Sequence, residues 1–254
     1  MTLHFQNPIL HADYADPDVI RVGEDFWMVS SSFNHVPALP LLHSRDLIHW
    51  QIVNHAIDRL PSPEYDQVQP GKGVWAPSLR YHDGQYWIFF SLPDEGIFVT
   101  HTRDPLGEWS QPLCLKRAPG WIDPCPLWDD DGRAWLIHGF AYSRSGIKNK
   151  LQLLEMAPDA SRLLDEGRII FDGTPSHPTL EGPKLYKRQG EYWIFTPAGG
   201  VKRRWQTVPR ASSLAGPWHS RYVLHQGNVS VNGPHQGSWV VPENGENRLC
   251  DFHE

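Results

Sequence analysis

The chain predicts an all-β fold of the β-propeller kind, on three observations: a turn-rich aromatic composition, an internal repeat and the lack of helical periodicity. Its 254 residues include 12 Trp, 23 Pro and 21 Gly, the composition of many short strands punctuated by tight turns. The best helical candidate, "LLEMAPDASRLL", is interrupted by Pro158 and reads as strand, turn, strand. All-β chains of this length commonly stay single domains.

The repeat supplies the elements in order. A glycine turn leads into an aromatic strand in "GEDFWMVSS", "GQYWIFFS", "GRAWLIHGF" and "GEYWIFTPA". Their tryptophans, Trp27, Trp87, Trp135 and Trp193, are separated by 60, 48 and 58 residues, a period suited to one four-stranded blade with its loops. In "YWIFF" Tyr86, Ile88 and Phe90 point to one face and Trp87 and Phe89 to the other. A strand apolar on both faces is covered on both, as when blades stack. After three of these strands comes a segment ending at Trp50, Trp109 or Trp218, assigned to the outer turns and strands. The expected organisation is one domain over 1–254, with blades near 6–60, 70–117, 119–173 and 178–226 and a partial fifth over 229–254.

A third element precedes each aromatic strand. Counting from the proline, Asp16-Pro17, Ala76-Pro77 and Gly182-Pro183 lie ten residues before their tryptophan and Asp123-Pro124 eleven. Proline suits the start of an inner strand, where no ladder donor is required. Asp16, Asp123 and Glu181 are therefore expected at equivalent places in three blades, and inner strands of a propeller line its axis. Taken singly, Asp before Pro is more often a turn or capping dipeptide than a catalytic group. Their shared phase is what points to one cavity, with Trp75 offering an aromatic face in the remaining quarter: carboxylates for chemistry, a flat ring for stacking a sugar.

Other chemistries find no support. The net charge of −6 with scattered basic residues argues against a nucleic-acid or anionic-membrane surface. The densest basic run, "KRRW" at 202–205, reads as a solvated loop. Cys114, Cys125 and Cys250 are too few and too far apart for a disulfide scaffold or a zinc site. The 14 histidines show no metal-ligand spacing, and no G-x-S-x-G elbow or phosphate loop occurs. No long apolar run and no basic-then-apolar N-terminus is present, so the expected location is cytoplasmic.

The segments "NPILHADYADPDVIRVGEDFWMVSSSF", "GVWAPSLRYHDGQYWIFFS", "WIDPCPLWDDDGRAWLIHG", "LEGPKLYKRQGEYWIFTPAGG" and "GPHQGSWV" resemble glycoside hydrolase family 43. The likeness runs from about residue 6 to 241 and is closest to β-xylosidase-like members. It implies a five-bladed β-propeller that hydrolyses xylosidic bonds from the ends of xylo-oligosaccharides with inversion. α-L-Arabinofuranosidase activity is the alternative, and a non-catalytic or degenerate sugar-binding propeller is the alternative from another class. It further implies Asp16 as general base, Glu181 as general acid and Asp123 as the group that tunes a pKa and orients substrate. Trp75 and Phe33 correspond to aromatic walls, and His235 to an axial histidine that in some members helps hold a calcium or a water. No cofactor is required, and the partner is a small oligosaccharide. Glu181 must then keep its proton above the free value of about 4.3, which a nearby carboxylate and apolar walls would achieve.

The fifth repeat opens with "GPHQGSWVVPENGE", but Asn247 and Arg248 stand where an aromatic and a Trp are expected, and "LCDFHE" follows. The expectation is therefore an incomplete fifth blade of about one strand, a frameshifted or truncated product lacking a family axial arginine, with reduced stability and weak or absent activity.

Overall fold

In the computed structural model the described residues are 6–200, 203–228, 230–242, 245 and 248–252. Their strands form four antiparallel four-stranded sheets and one two-stranded sheet. Blade one holds β1 (Asp18–Val22), β2 (Asp25–Val29), β3 (Ala38–Ser44) and β4 (Gln51–Ile57); blade two holds β5 (Trp75–His82), β6 (Gln85–Leu92), β7 (Gly96–Thr102) and β8 (Leu113–Arg117). Blade three holds β9 (Trp121–Trp128), β10 (Ala134–Phe140), β11 (Lys150–Met156) and β12 (Arg168–Asp172). Blade four holds β13 (Lys184–Arg188), β14 (Glu191–Ala198), β15 (Trp205–Ala211) and β16 (His219–His225); the short sheet pairs β17 (His235–Val240) with β18 (Arg248–Phe252).

The first strands close a ring. β1 touches β5 and β17, β5 touches β9, β9 touches β13, and β13 touches β17. This all-β propeller thus has inner strands from five successive sheets around one axis.

Blade stacking follows from the two apolar faces of each second strand. Tyr86, Ile88 and Phe90 of β6 pack with Trp27, Val29 and Leu41 of blade one. Trp87 and Phe89, on the opposite face, pack with Ala134, Leu136 and Met156 of blade three. Trp135 and Ile137 meet Tyr192 and Ile194 across the next interface, and Phe26 and Met28 meet Val240 across the last. Phe89 and Phe90 are fully buried, and burying such a ring stabilises by roughly 1.5–3 kcal/mol.

One expectation is corrected here. The fifth repeat contributes two described strands rather than about one: after the broken pattern, Leu249 and Cys250 pair with Trp239 and Ser238. An aromatic-Trp pair is not needed for ladder formation, because backbone pairing uses N–H and C=O groups and Leu, Cys and Phe suit a half-buried strand. Asn247 itself lies outside the described residues.

Candidate active site

Each sheet delivers two consecutive residues to the axis: Ala15-Asp16, Trp75-Ala76, Ile122-Asp123, Glu181-Gly182 and His235-Gln236. In β5, β9 and β17 the register slips at this point, with two residues facing one on the next strand. The second member of every pair lies at positive φ: Asp16 at 52°, Ala76 at 25°, Asp123 at 59°, Gly182 at 58° and Gln236 at 58°. Side-chain-bearing residues adopt this region at a steric cost, and such bulges re-aim side chains beside functional sites.

The sequence reading set Glu181 level with Asp16 and Asp123; the backbone moves it one residue earlier. The left-handed place in blade four belongs to Gly182, so Glu181 stands with Trp75 and His235 instead. Glycine takes that conformation without strain and leaves its preceding residue to carry the acid. A Cβ on Gly182 would also lie 2.2 Å from the Gln236 amide, so the wall closes tightly there.

All of these paired residues except Gly182 line a cavity of about 240 Å³ that Phe33, Thr179, Gly200 and Arg204 complete. All three predicted acids, Trp75, Phe33 and His235 line it. The Phe33 and Trp75 rings meet edge to face, 6.2 Å between centres at 79°. The Trp75 indole N–H donates to the Gly71 carbonyl at 2.9 Å, which fixes the ring plane. A larger hollow of about 320 Å³ shares Phe33, but its lone lining carboxylate, Asp66, is paired with Arg59. The chemistry therefore concentrates in the smaller cavity.

Two of the acids are latched. Ser31 donates its hydroxyl to Asp16 Oδ2 at 2.6 Å while accepting the Ala76 N–H at 2.8 Å. Asp123 Oδ2 accepts the Gly182 N–H at 2.8 Å. Glu181 carries no such side-chain latch among the hydrogen bonds of the described residues, and its side chain remains 26 % exposed to the cavity. His235 Nε2 lies 3.5 Å from Asp16 Oδ1 and 4.0 Å from Glu181 Oε1.

Burial and crowding set the protonation states. Burial first, then the Asp16 charge, push the Asp123 carboxyl up to about 7, against the Gly182 N–H, Lys184 and Gln236. Burial first, then Asp123 and Asp16, push Glu181 up to about 8, opposed by Arg204. A carboxyl raised above neutrality holds its proton at pH 7 and can donate it.

Beneath the acids the next inward residues form a polar plug. Asp18, Ser78, Cys125, Lys184 and Ser238 stand two residues beyond the left-handed positions, and each is completely buried. Lys184 Nζ donates to the Pro77 carbonyl and to Ser78 Oγ at 2.5 and 2.9 Å. Asp18 accepts Arg80 Nη1 at 2.6 Å, Ser238 Oγ at 2.6 Å and the Leu79 N–H at 2.9 Å. Burial would raise the Asp18 carboxyl, but Arg80, Lys184 and the hydrogen bonds from Ser238 and Leu79 together outweigh it and hold the group below the usual range.

Sequence reasoning missed three contributors. Ser31 lay in plain view in "SSSF", yet only the fold reveals which serine meets Asp16. Lys184 carries no local signal in "EGPK" that it is buried. Arg204 was assigned to a solvated loop; it is 7 % exposed and lines the cavity, because the β14–β15 connection folds inward.

Residues 5–254 match the family model for glycosyl hydrolases family 43. The chain belongs to that family. A family 43 relative from Xylanibacter ruminicola that carries a provisional beta-xylosidase name is 39% identical over 241 residues, 94% of this chain and 45% of that protein. A Bacteroides ovatus protein named non-reducing end alpha-L-arabinofuranosidase is 31% identical, covering 84% of this chain and 40% of its own. The crystal structure of a xylan beta-1,4-xylosidase from Bacillus halodurans superposes with a TM-score of 0.86 at 30% identity, over 98% of this chain and 51% of that one. The chain spans about half the length of these family 43 proteins.

The protein donors around His235 are few. Two carboxylate oxygens flank its imidazole at 3.5 and 4.0 Å. Among the described residues no group of three His, Cys, Asp or Glu is placed to hold a metal.

Proposed function

We propose that this family 43 cavity releases xylose from the ends of xylo-oligosaccharides by inverting hydrolysis. The observation that carries the reading is the convergence of three carboxyl groups from three blades on one aromatic-walled cavity, two of them raised toward or above neutrality.

Glu181 is the general acid. It donates its proton to the glycosidic oxygen as the bond to the anomeric carbon breaks, and it is left ionised. Asp16 is the general base. Held through Oδ2 by Ser31, it presents Oδ1 to a water, takes a proton from it and directs the oxygen to the opposite face of the anomeric carbon. The products are one xylose of inverted configuration and an oligosaccharide shorter by one unit. Burial first, then the charges of Asp123 and Asp16, keep Glu181 protonated, and Asp123 is fixed by the Gly182 N–H. Trp75 and Phe33 face the sugar ring, which stacks on aromatic surfaces.

The arabinofuranosidase-named relative favours arabinofuranose as the second substrate, since the same acids serve either sugar. The β17–β18 pair reads as the opening half of a fifth blade.

Chromogenic xyloside and arabinofuranoside assays on this chain, beside Asp16→Asn and Glu181→Gln, test the reading. Each substitution is expected to cost about 10²–10⁴-fold in kcat. Turnover that survives both substitutions would sink the assignment, and sugar binding without turnover in the parent chain would favour a non-catalytic propeller.

A further inference from the structure

Two glycines clasp the main chain at Arg203 and Arg204. A Cβ on Gly199 would lie 1.8 Å from the Arg203 carbonyl oxygen, and one on Gly233 would lie 1.9 Å from that of Arg204. Gly199 follows β14 and Gly233 precedes β17, so the connection is held between blade four and the fifth sheet. The clasp delivers Arg204 to the cavity, where it is the sole Lys or Arg among the described lining residues. An arginine at 7 % exposure is unusual unless it faces negative charge.

The charges around Glu181 show what that position does. Asp16 faces it from the start of blade one, Asp123 from β9, His235 from β17 at 4.0 Å, and Arg204 from the β14–β15 connection. Lys184, from β13, lies in the plug and acts on Asp18 and Asp123. When Glu181 gives up its proton it becomes a further negative charge among carboxyls, and in a buried site that state needs a compensating charge.

We propose that Arg204 is a positioning residue for the reaction, its buried guanidinium in the cavity wall balancing the charge that appears on Glu181 as the proton leaves. The inference rests on Glu181 being the general acid. Removing the guanidinium should make Glu181 hold its proton more tightly and so donate it less readily.

The test is a ¹³C-carboxyl NMR titration of Glu-labelled protein, the Glu181 signal identified by its loss in Glu181→Gln. In Arg204→Met the Glu181 midpoint is expected to move upward by about one pH unit, with kcat lowered about tenfold. Arg204→Lys, which keeps a charge but not the planar fork, should recover most of the midpoint and part of kcat. An unmoved Glu181 midpoint in a folded Arg204→Met protein would overturn the proposal and leave the general-acid assignment standing. A moved midpoint with full turnover in Glu181→Gln would instead remove the general acid while keeping the Arg204–Glu181 coupling. The titration needs no turnover, so the two failures are distinguishable.

Discussion

Glu181 and His235 stand at the same step of adjacent sheets, each one residue before a left-handed backbone position, and their side chains approach to 4.0 Å between Oε1 and Nε2. Asp16 belongs to the other step and meets the same imidazole nitrogen at 3.5 Å. Glu181 and Asp16 thus reach the cavity from different levels of the wall, with His235 beside both.

The raised acids should show in stability as well as in catalysis. A carboxyl whose folded value lies above its unfolded one stabilises fully below the unfolded value and loses that contribution as pH rises through the folded value. For Glu181 the window runs from 4.5 to about 8, and for Asp123 from 3.8 to about 7. Asp18 has the opposite sign, its contribution present above 3.8 and lost as the medium becomes more acid. Urea midpoints measured across pH should therefore decline on the alkaline side and collapse on the acid side. Glu181→Gln should flatten the alkaline decline; an unchanged slope would contradict a raised Glu181.

The plug makes a sharper stability prediction. Asp18→Ala leaves Arg80 and Lys184 as buried cations without their carboxylate, and breaking a buried pair in this way costs about 3–5 kcal/mol. Ser238→Ala removes a neutral donor to Asp18 and the acceptor of the Val19 N–H, and should cost about 1–3 kcal/mol. The ratio between the two, read from urea unfolding, checks that the charge is what matters; equal losses would argue against it.

Most of the framework was legible because strand periodicity and tryptophan spacing record blade stacking directly. Tyr86 and Trp87 announced opposite faces, and they pack against different blades. The three acids were legible through their prolines. What escaped were contacts that depend on backbone direction. Gly182-Pro183 looked like Asp16-Pro17 with the acid slipped by one, and only the φ values show that the slip is real. Arg204 was invisible for a related reason: charge runs usually face water, and no local signal marks a loop pinned between the nearby Gly199 and the distant Gly233.

Gly182 itself should tolerate almost nothing. Its φ of 58° costs any other residue about 1–2 kcal/mol, and a new Cβ would displace the buried Gln236 amide. Gly182→Ala is therefore expected to lower stability by about 2 kcal/mol and to lower kcat more than it raises KM, because it shifts Glu181 and the N–H that holds Asp123. Steady-state kinetics beside thermal unfolding check this, and a fully active, fully stable variant would show that the kink is not what aims the acid.

The stereochemical outcome tests the role proposed for Asp16. With Asp16 Oδ1 and Glu181 Oε1 at 3.5 and 4.0 Å from His235 Nε2, the two oxygens lie at most about 7.5 Å apart. That ceiling admits both the inverting separation, about 6.5–9.5 Å so that a water fits, and the retaining one, about 5–5.5 Å so that one carboxylate attacks directly; the way Asp16 is held is what favours inversion. Ser31 holds Asp16 by its far oxygen, which suits a base that only collects a proton better than a nucleophile that must form a bond. Early turnover of a β-xyloside followed by ¹H NMR should therefore show α-xylose first, with the β anomer growing in by mutarotation. If the β anomer leads, Asp16 is the nucleophile of a two-step reaction and its assignment as general base is wrong.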